Sequence, residues 1–184
     1  MKLDTIIRTA EEIRASYGDT SDPAALCESA GVILLYFPMG DCRIACKGFI
    51  LAQKGRTSIT VNCDLSRDLR RVVMYHELGH YFMHVRTGLI DHLQDFTVGH
   101  PRDDLEYEAD MLAAEISLQD EEVLSTLTDN GDFYTTAECL RTTPELLDMK
   151  LQLMRHKGFR IPDAPIRSSG GYLRKLDGSS CISA

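Results

Sequence analysis

Residues 76–80 read His76-Glu77-Leu78-Gly79-His80, and no other run in the chain restricts the fold so tightly. On an α-helix, positions i and i+4 lie one turn apart on the same face. Both imidazoles can then reach a single ion. Asp64-Leu65-Ser66 supplies a helix start upstream, so the run sits in a helix expected over about 66–84. Glu77 lies beside the histidines, where a carboxylate acts as general base on water at a metal rather than as a ligand. Gly79 inside a helix costs about 1 kcal/mol relative to alanine. It asks for a reason, such as another backbone or a substrate approaching the helix there.

Two histidines do not complete a catalytic metal site, which takes three protein ligands and leaves one position open. One pattern places a further histidine six residues past the second, after a glycine. Here those positions are Arg86 and Met83. His84 lies on the same face, but three histidines at this spacing span about 12 Å along one helix and cannot all bind an ion at about 2 Å. His84 therefore reads as a packed or hydrogen-bonded residue at the helix end. The stronger candidate is Glu106, in Glu106-Tyr107-Glu108-Ala109-Asp110. Asp110 is one turn from Glu106 and can accept a hydrogen bond from the far nitrogen of a ligand histidine, fixing its tautomer. Glu108 competes for the role; it is rotated about 200° from Glu106, so only one of the two faces the metal. Glu106 is favoured because it aligns with Asp110. Two histidines and a carboxylate suit Zn2+.

Around this core the sequence predicts an N-terminal helix over 3–17 and a short one from Pro23 to about Ala30. A strand follows at Val32–Phe37, then two more at 48–52 and 58–62, joined by a turn at Lys54-Gly55-Arg56. Residues 85–102 read as loop. A helix over about 103–119 carries Leu105, Ala109, Leu112, Ala113 and Ile116 on one face. Beyond it come short helices near 121–127 and 135–140 and a third from Pro144 to about His156; the last two resemble a helix-turn-helix unit. The expected organisation is a metal-binding domain at 1–120, a helical extension packed on it at 121–158, and a tail at 159–184 that is poorly ordered or loosely packed.

A net charge of −8 argues against nucleic acid as a direct partner, because phosphate binding needs clustered Lys and Arg. Arg67, Arg70 and Arg71 read as a solvated helix face. Glu145 and Asp148 stand where a DNA-reading helix would carry its contacts. No apolar run approaches the roughly 20 residues needed to span a bilayer, so no membrane partner is expected. The N-terminus lacks the apolar core and cleavage site of a signal peptide, so the cytoplasm is the expected compartment. The six cysteines read as free thiols there.

With His76-Glu77-Leu78-Gly79-His80, the following His84, and Glu106–Asp110 leading into Met111-Leu112-Ala113-Ala114-Glu115-Ile116, the chain resembles the ImmA/IrrE family of metallopeptidases. The resemblance covers roughly residues 5–158. It implies an α+β, zincin-like fold: a small twisted, mainly antiparallel sheet packed on the metal-binding helices, with a C-terminal helical extension. It also implies a zinc endopeptidase whose protein substrate is a helix-turn-helix repressor of a mobile element or stress response. The expected site is then His76, His80 and Glu106 on the metal, Glu77 as base and Asp110 behind a ligand histidine. Strand 58–62 is expected as a sheet edge that pairs with extended substrate. Tyr75, Tyr81, Tyr107 and His100 are candidates to stabilise the oxyanion. The alternative is a metal-containing module that controls a partner repressor without cutting it; an intact Glu77 speaks against it.

Overall fold

The computed structural model describes residues 3–42, 44–53, 55–89 and 103–174. Of the readings above, Lys54, His100, most of the 85–102 loop, Cys181 among the cysteines, and the tail past 174 lie outside them. Helix α1 spans Leu3–Tyr17 and α2 spans Pro23–Ser29. Asp22 caps α2 by accepting from the Ala24 amide, and Pro23 fills its first turn. Strands β1 (Ile33–Phe37), β2 (Gly48–Gln53) and β3 (Arg56–Asn62) follow. Helix α3 covers Arg67–His80, with the Ser66 hydroxyl accepting from the Leu69 amide at its start. One π-helical turn, Tyr81–Val85, continues it. Then come α4 (Asp103–Ser117), α5 (Asp120–Asn130), α6 (Phe133–Cys139) and α7 (Pro144–His156).

The α+β class and the small sheet on helices are as expected, but the sheet is mixed, in the order β1-β3-β2. β2 and β3 form the antiparallel hairpin, while β1 runs parallel to β3 with Leu35 opposite Thr60. This corrects one expectation. Strand 58–62 is central, because the hairpin pairs one of its sides and β1 takes the other. Among the described residues the edges of the sheet are β1 and β2.

Ile50, Ile59 and Val61 turn one sheet face onto α3 and join the main core. α3 lies deep, with every residue from Val72 to His80 buried. A helix covered all round must be satisfied by its neighbours on every side, and here α2, α4 and the sheet supply them. The opposite sheet face is open and apolar: Ile33, Leu35, Phe37, Phe49 and Leu51 are between 38% and 62% exposed. α7 is shared between two cores. Leu146, Met149 and Leu153 pack into the main one, whereas Leu147, Leu151 and Met154 meet Leu118, Val123, Ala137 and Leu140 in a second. With both sides covered, α7 presents no free apolar or basic face. Among the described residues no helix is long and apolar enough to cross a membrane, and Cys27, Cys42, Cys46, Cys63 and Cys139 are free thiols.

Candidate metal centre

The site forms where α3 and α4 cross. Gly79 is what lets them approach. A Cβ at that position would stand 2.9 Å from the Ala109 Cα and carbonyl carbon, and closer still to the carbonyl oxygen. The glycine therefore has the reason its sequence position asks for. At this crossing, α3 presents His76 and His80 and α4 presents Glu106, all buried.

One ligand atom from each of His76, His80 and Glu106 lies within 4.8 Å of the others, a set that could hold a metal ion. The two Nε2 atoms are 3.1 Å apart. Glu106 Oε2 is 3.5 Å from His76 Nε2, and its Oε1 is 3.7 Å from His80 Nε2. Of the two competing carboxylates, Glu106 is the one brought to the histidines. Glu77 is buried on the same helix. The start of β2 passes beside it: a Cβ on Gly48 would sit 3.6 Å from Glu77 Oε1.

Behind the histidines, two hydrogen-bonded arrangements fix their rings. Asp110 Oδ1 is 2.6 Å from His76 Nδ1, with the carboxylate fully buried. Nδ1–H therefore donates to the carboxylate, and the Nε2 lone pair is left for the shared point. Burial by itself pushes His76 down, but the Asp110 carboxylate, then Glu77 and Glu106, outweigh it and raise its pKa to about 9. Surroundings that favour positive charge on this ring also favour a cation at its free nitrogen.

His80 is held differently. Its Nδ1 is 3.1 Å from His84 Nδ1, and His84 Nε2 is 3.1 Å from Glu108 Oε2. If His80 offers its Nε2 lone pair, its Nδ1–H donates to His84, and the Nε2–H of His84 donates to Glu108. This chain requires a neutral His84. Burial pushes its pKa down, against the pull of Glu108 in the other direction. The π-helical turn that carries His84 is a deformation often found beside functional sites. Sequence reasoning placed His84 as a hydrogen-bonded histidine but did not find its link to Glu108. The available signal was a histidine one turn past the motif, matched by a carboxylate out of phase with Glu106.

Two of the three described oxyanion candidates are engaged elsewhere. The Tyr75 hydroxyl donates to the Thr20 carbonyl at 2.6 Å and that of Tyr81 to Ala30 at 3.2 Å. Tyr107 is partly buried, with Asp148 as its charged neighbour. Arg71 of the basic run is also structural: it lies over the Tyr75 ring and reaches the Ser117 carbonyl.

The family model described as the IrrE N-terminal-like domain matches residues 27–152, which include both helices of the site. No curated protein matches the chain.

Proposed function

The chain belongs to the IrrE N-terminal-like family of metallopeptidases and is thus a hydrolase, and from that membership we propose that it is a zinc endopeptidase acting at His76, Glu77, His80 and Glu106. The observation that carries this reading is the convergence of two histidines and one carboxylate within 4.8 Å, with a glutamate next in sequence to the first histidine. Two nitrogens and a carboxylate oxygen fit zinc, whose catalytic sites take three protein ligands. Bound there, zinc would supply Lewis-acid polarisation of the scissile carbonyl and acidify water.

The remaining work belongs to the chain. Asp110 and the His84–Glu108 pair fix both imidazoles in angle, each with its Nε2 turned toward the ion. Glu77 accepts a proton from the attacking water and returns it to the leaving amine. Its burial favours this shuttle by holding bulk solvent away. β2 is an edge strand whose first residue passes beside Glu77. An extended peptide paired along that edge would be carried toward the base. The open apolar sheet face beside it suits a protein rather than a small molecule, since exposed apolar patches mark interaction surfaces.

The substrate proposed is a cytoplasmic helix-turn-helix repressor. Incubation with a candidate repressor, with and without chelator, tests the activity. Glu77→Gln should retain metal and lose cleavage by at least about 100-fold, the range for a general base. A Glu77→Gln protein that still cuts would remove Glu77 from the mechanism. Chelator-insensitive binding without any cleavage would replace hydrolysis with regulation by contact.

A further inference from the structure

Residues 168–173 return from the C-terminal side to the back of the metal centre. The Gly171 amide donates to Asp110 Oδ2 at 3.0 Å, in a buried position. Asp110 thus divides its two oxygens, Oδ1 toward His76 and Oδ2 toward Gly171. The chain also passes close to Glu106, since a Cβ on Gly171 would lie 3.9 Å from its Cβ and Cγ. Gly171 adopts φ +73°, a left-handed conformation that other residues rarely take.

This approach is anchored on both sides. Upstream, the Ser168 amide donates to Asp148 Oδ2 on α7 at 2.8 Å. Downstream, Tyr172 and Leu173 are 4% and 6% exposed and belong to the main core. The segment lies beyond the matched domain, which ends at 152. It is built in nonetheless.

A buried carboxylate with one oxygen unsatisfied carries a desolvation penalty and can turn about its Cβ–Cγ bond to seek another donor. Such a turn would swing Oδ1 away from His76. A backbone N–H fixed between two anchors removes that freedom. We propose that residues 168–173 are a positioning strap for the metal site: the Gly171 N–H sets Asp110, Asp110 sets His76, and the C-terminal segment thereby governs how tightly the site holds its ion. This rests on the reading of His76 as a ligand.

The test compares three proteins. One is the full chain. The second ends at Arg167. The third is full length, assembled with a synthetic C-terminal segment in which the Gly170–Gly171 amide is an ester, so that only the N–H is lost. Zinc affinity is read by chelator competition, and site geometry by the visible absorption of the Co2+ form. The altered proteins should bind zinc at least about 10-fold more weakly, as lost support of a ligand histidine generally does. Their Co2+ bands should shift, which a purely structural loss would not produce in the folded fraction. Should the shortened chain fail to fold, the ester protein decides. A folded ester protein with unchanged zinc affinity and Co2+ spectrum overturns the strap while leaving the zinc reading intact. A full chain that binds no zinc overturns both.

Discussion

Gly79→Ala is the sharpest perturbation of this molecule, because two opposing effects meet at one atom. On helix propensity alone, alanine should stabilise α3 by about 1 kcal/mol. The structure says otherwise. The new methyl would lie 2.9 Å from two backbone atoms of Ala109 and nearer still to a third. Heavy atoms of this kind rest at about 3.5 Å or beyond, so α3 and α4 must part by on the order of 1 Å. Backbone cannot swing aside as a side chain can. Overpacking of this kind costs about 1–3 kcal/mol, which meets or exceeds the propensity gain. The effect on the site should be larger than the effect on stability. His76 and His80 are on one of these helices and Glu106 on the other, and a misplacement of about 1 Å costs on the order of 100-fold in rate. Urea unfolding should therefore show a net change between zero and about 2 kcal/mol of destabilisation. Zinc affinity and peptide hydrolysis should both fall by at least about 10-fold. A Gly79→Ala protein that is more stable by about 1 kcal/mol, with zinc affinity unchanged, would refute the close-approach argument.

Three further outcomes are expected. His84→Ala removes the acceptor for His80 Nδ1–H and should weaken zinc binding by about 10-fold or more in a chelator titration; equal affinity would make the His80–His84–Glu108 chain incidental. Glu115 is buried and receives Lys150 at 2.9 Å and Lys157 at 2.5 Å, with Arg14 at 3.5 Å. Neutralising it with Glu115→Gln strips buried Lys150 of a partner and should cost about 3–5 kcal/mol in urea unfolding, whereas a loss under 1 kcal/mol would show that Asp120 compensates. Asp120 is pushed up by burial, but hydrogen bonds from Lys150 and Lys157 hold its pKa below the usual carboxylate value. A folded pKa below the unfolded one means the added stability is complete above about pH 4 and disappears as pH falls through the folded value. The stability gap between the natural chain and Asp120→Asn should accordingly shrink on acidification; a gap of constant size down to pH 3 would contradict the assignment.

Helical periodicity carried much of this site. His76, His80, Glu106 and Asp110 were legible because each pair is spaced by one turn, so the side of the helix each residue faces can be worked out locally. Gly79 was legible for the opposite reason: its local cost had no local explanation, which implied a neighbour. The sheet was only half legible. The β2–β3 hairpin is a contact between adjacent segments, but the parallel pairing of β1 joins residues 33–37 to 58–62 across the hairpin's first strand, and nothing in either segment's pattern specifies it. That long-range pairing is what moved the substrate edge from β3 to β2. Glu108 was weighed as a rival ligand and set behind Glu106 by its phase, which did not reveal what lay on its own side. The partner was His84, brought there by a π-helical turn that the 3.6-residue period does not encode. Least legible was Gly171, because the contact is made by a main-chain N–H that every non-proline residue possesses. Its sequence mark is only the flexible pair Gly170-Gly171, which by itself resembles a linker. The same pair has a different meaning once Tyr172 and Leu173 are seen to be buried: left-handed freedom at Gly171 lets the strap turn its amide toward Asp110 while the next two side chains enter the core.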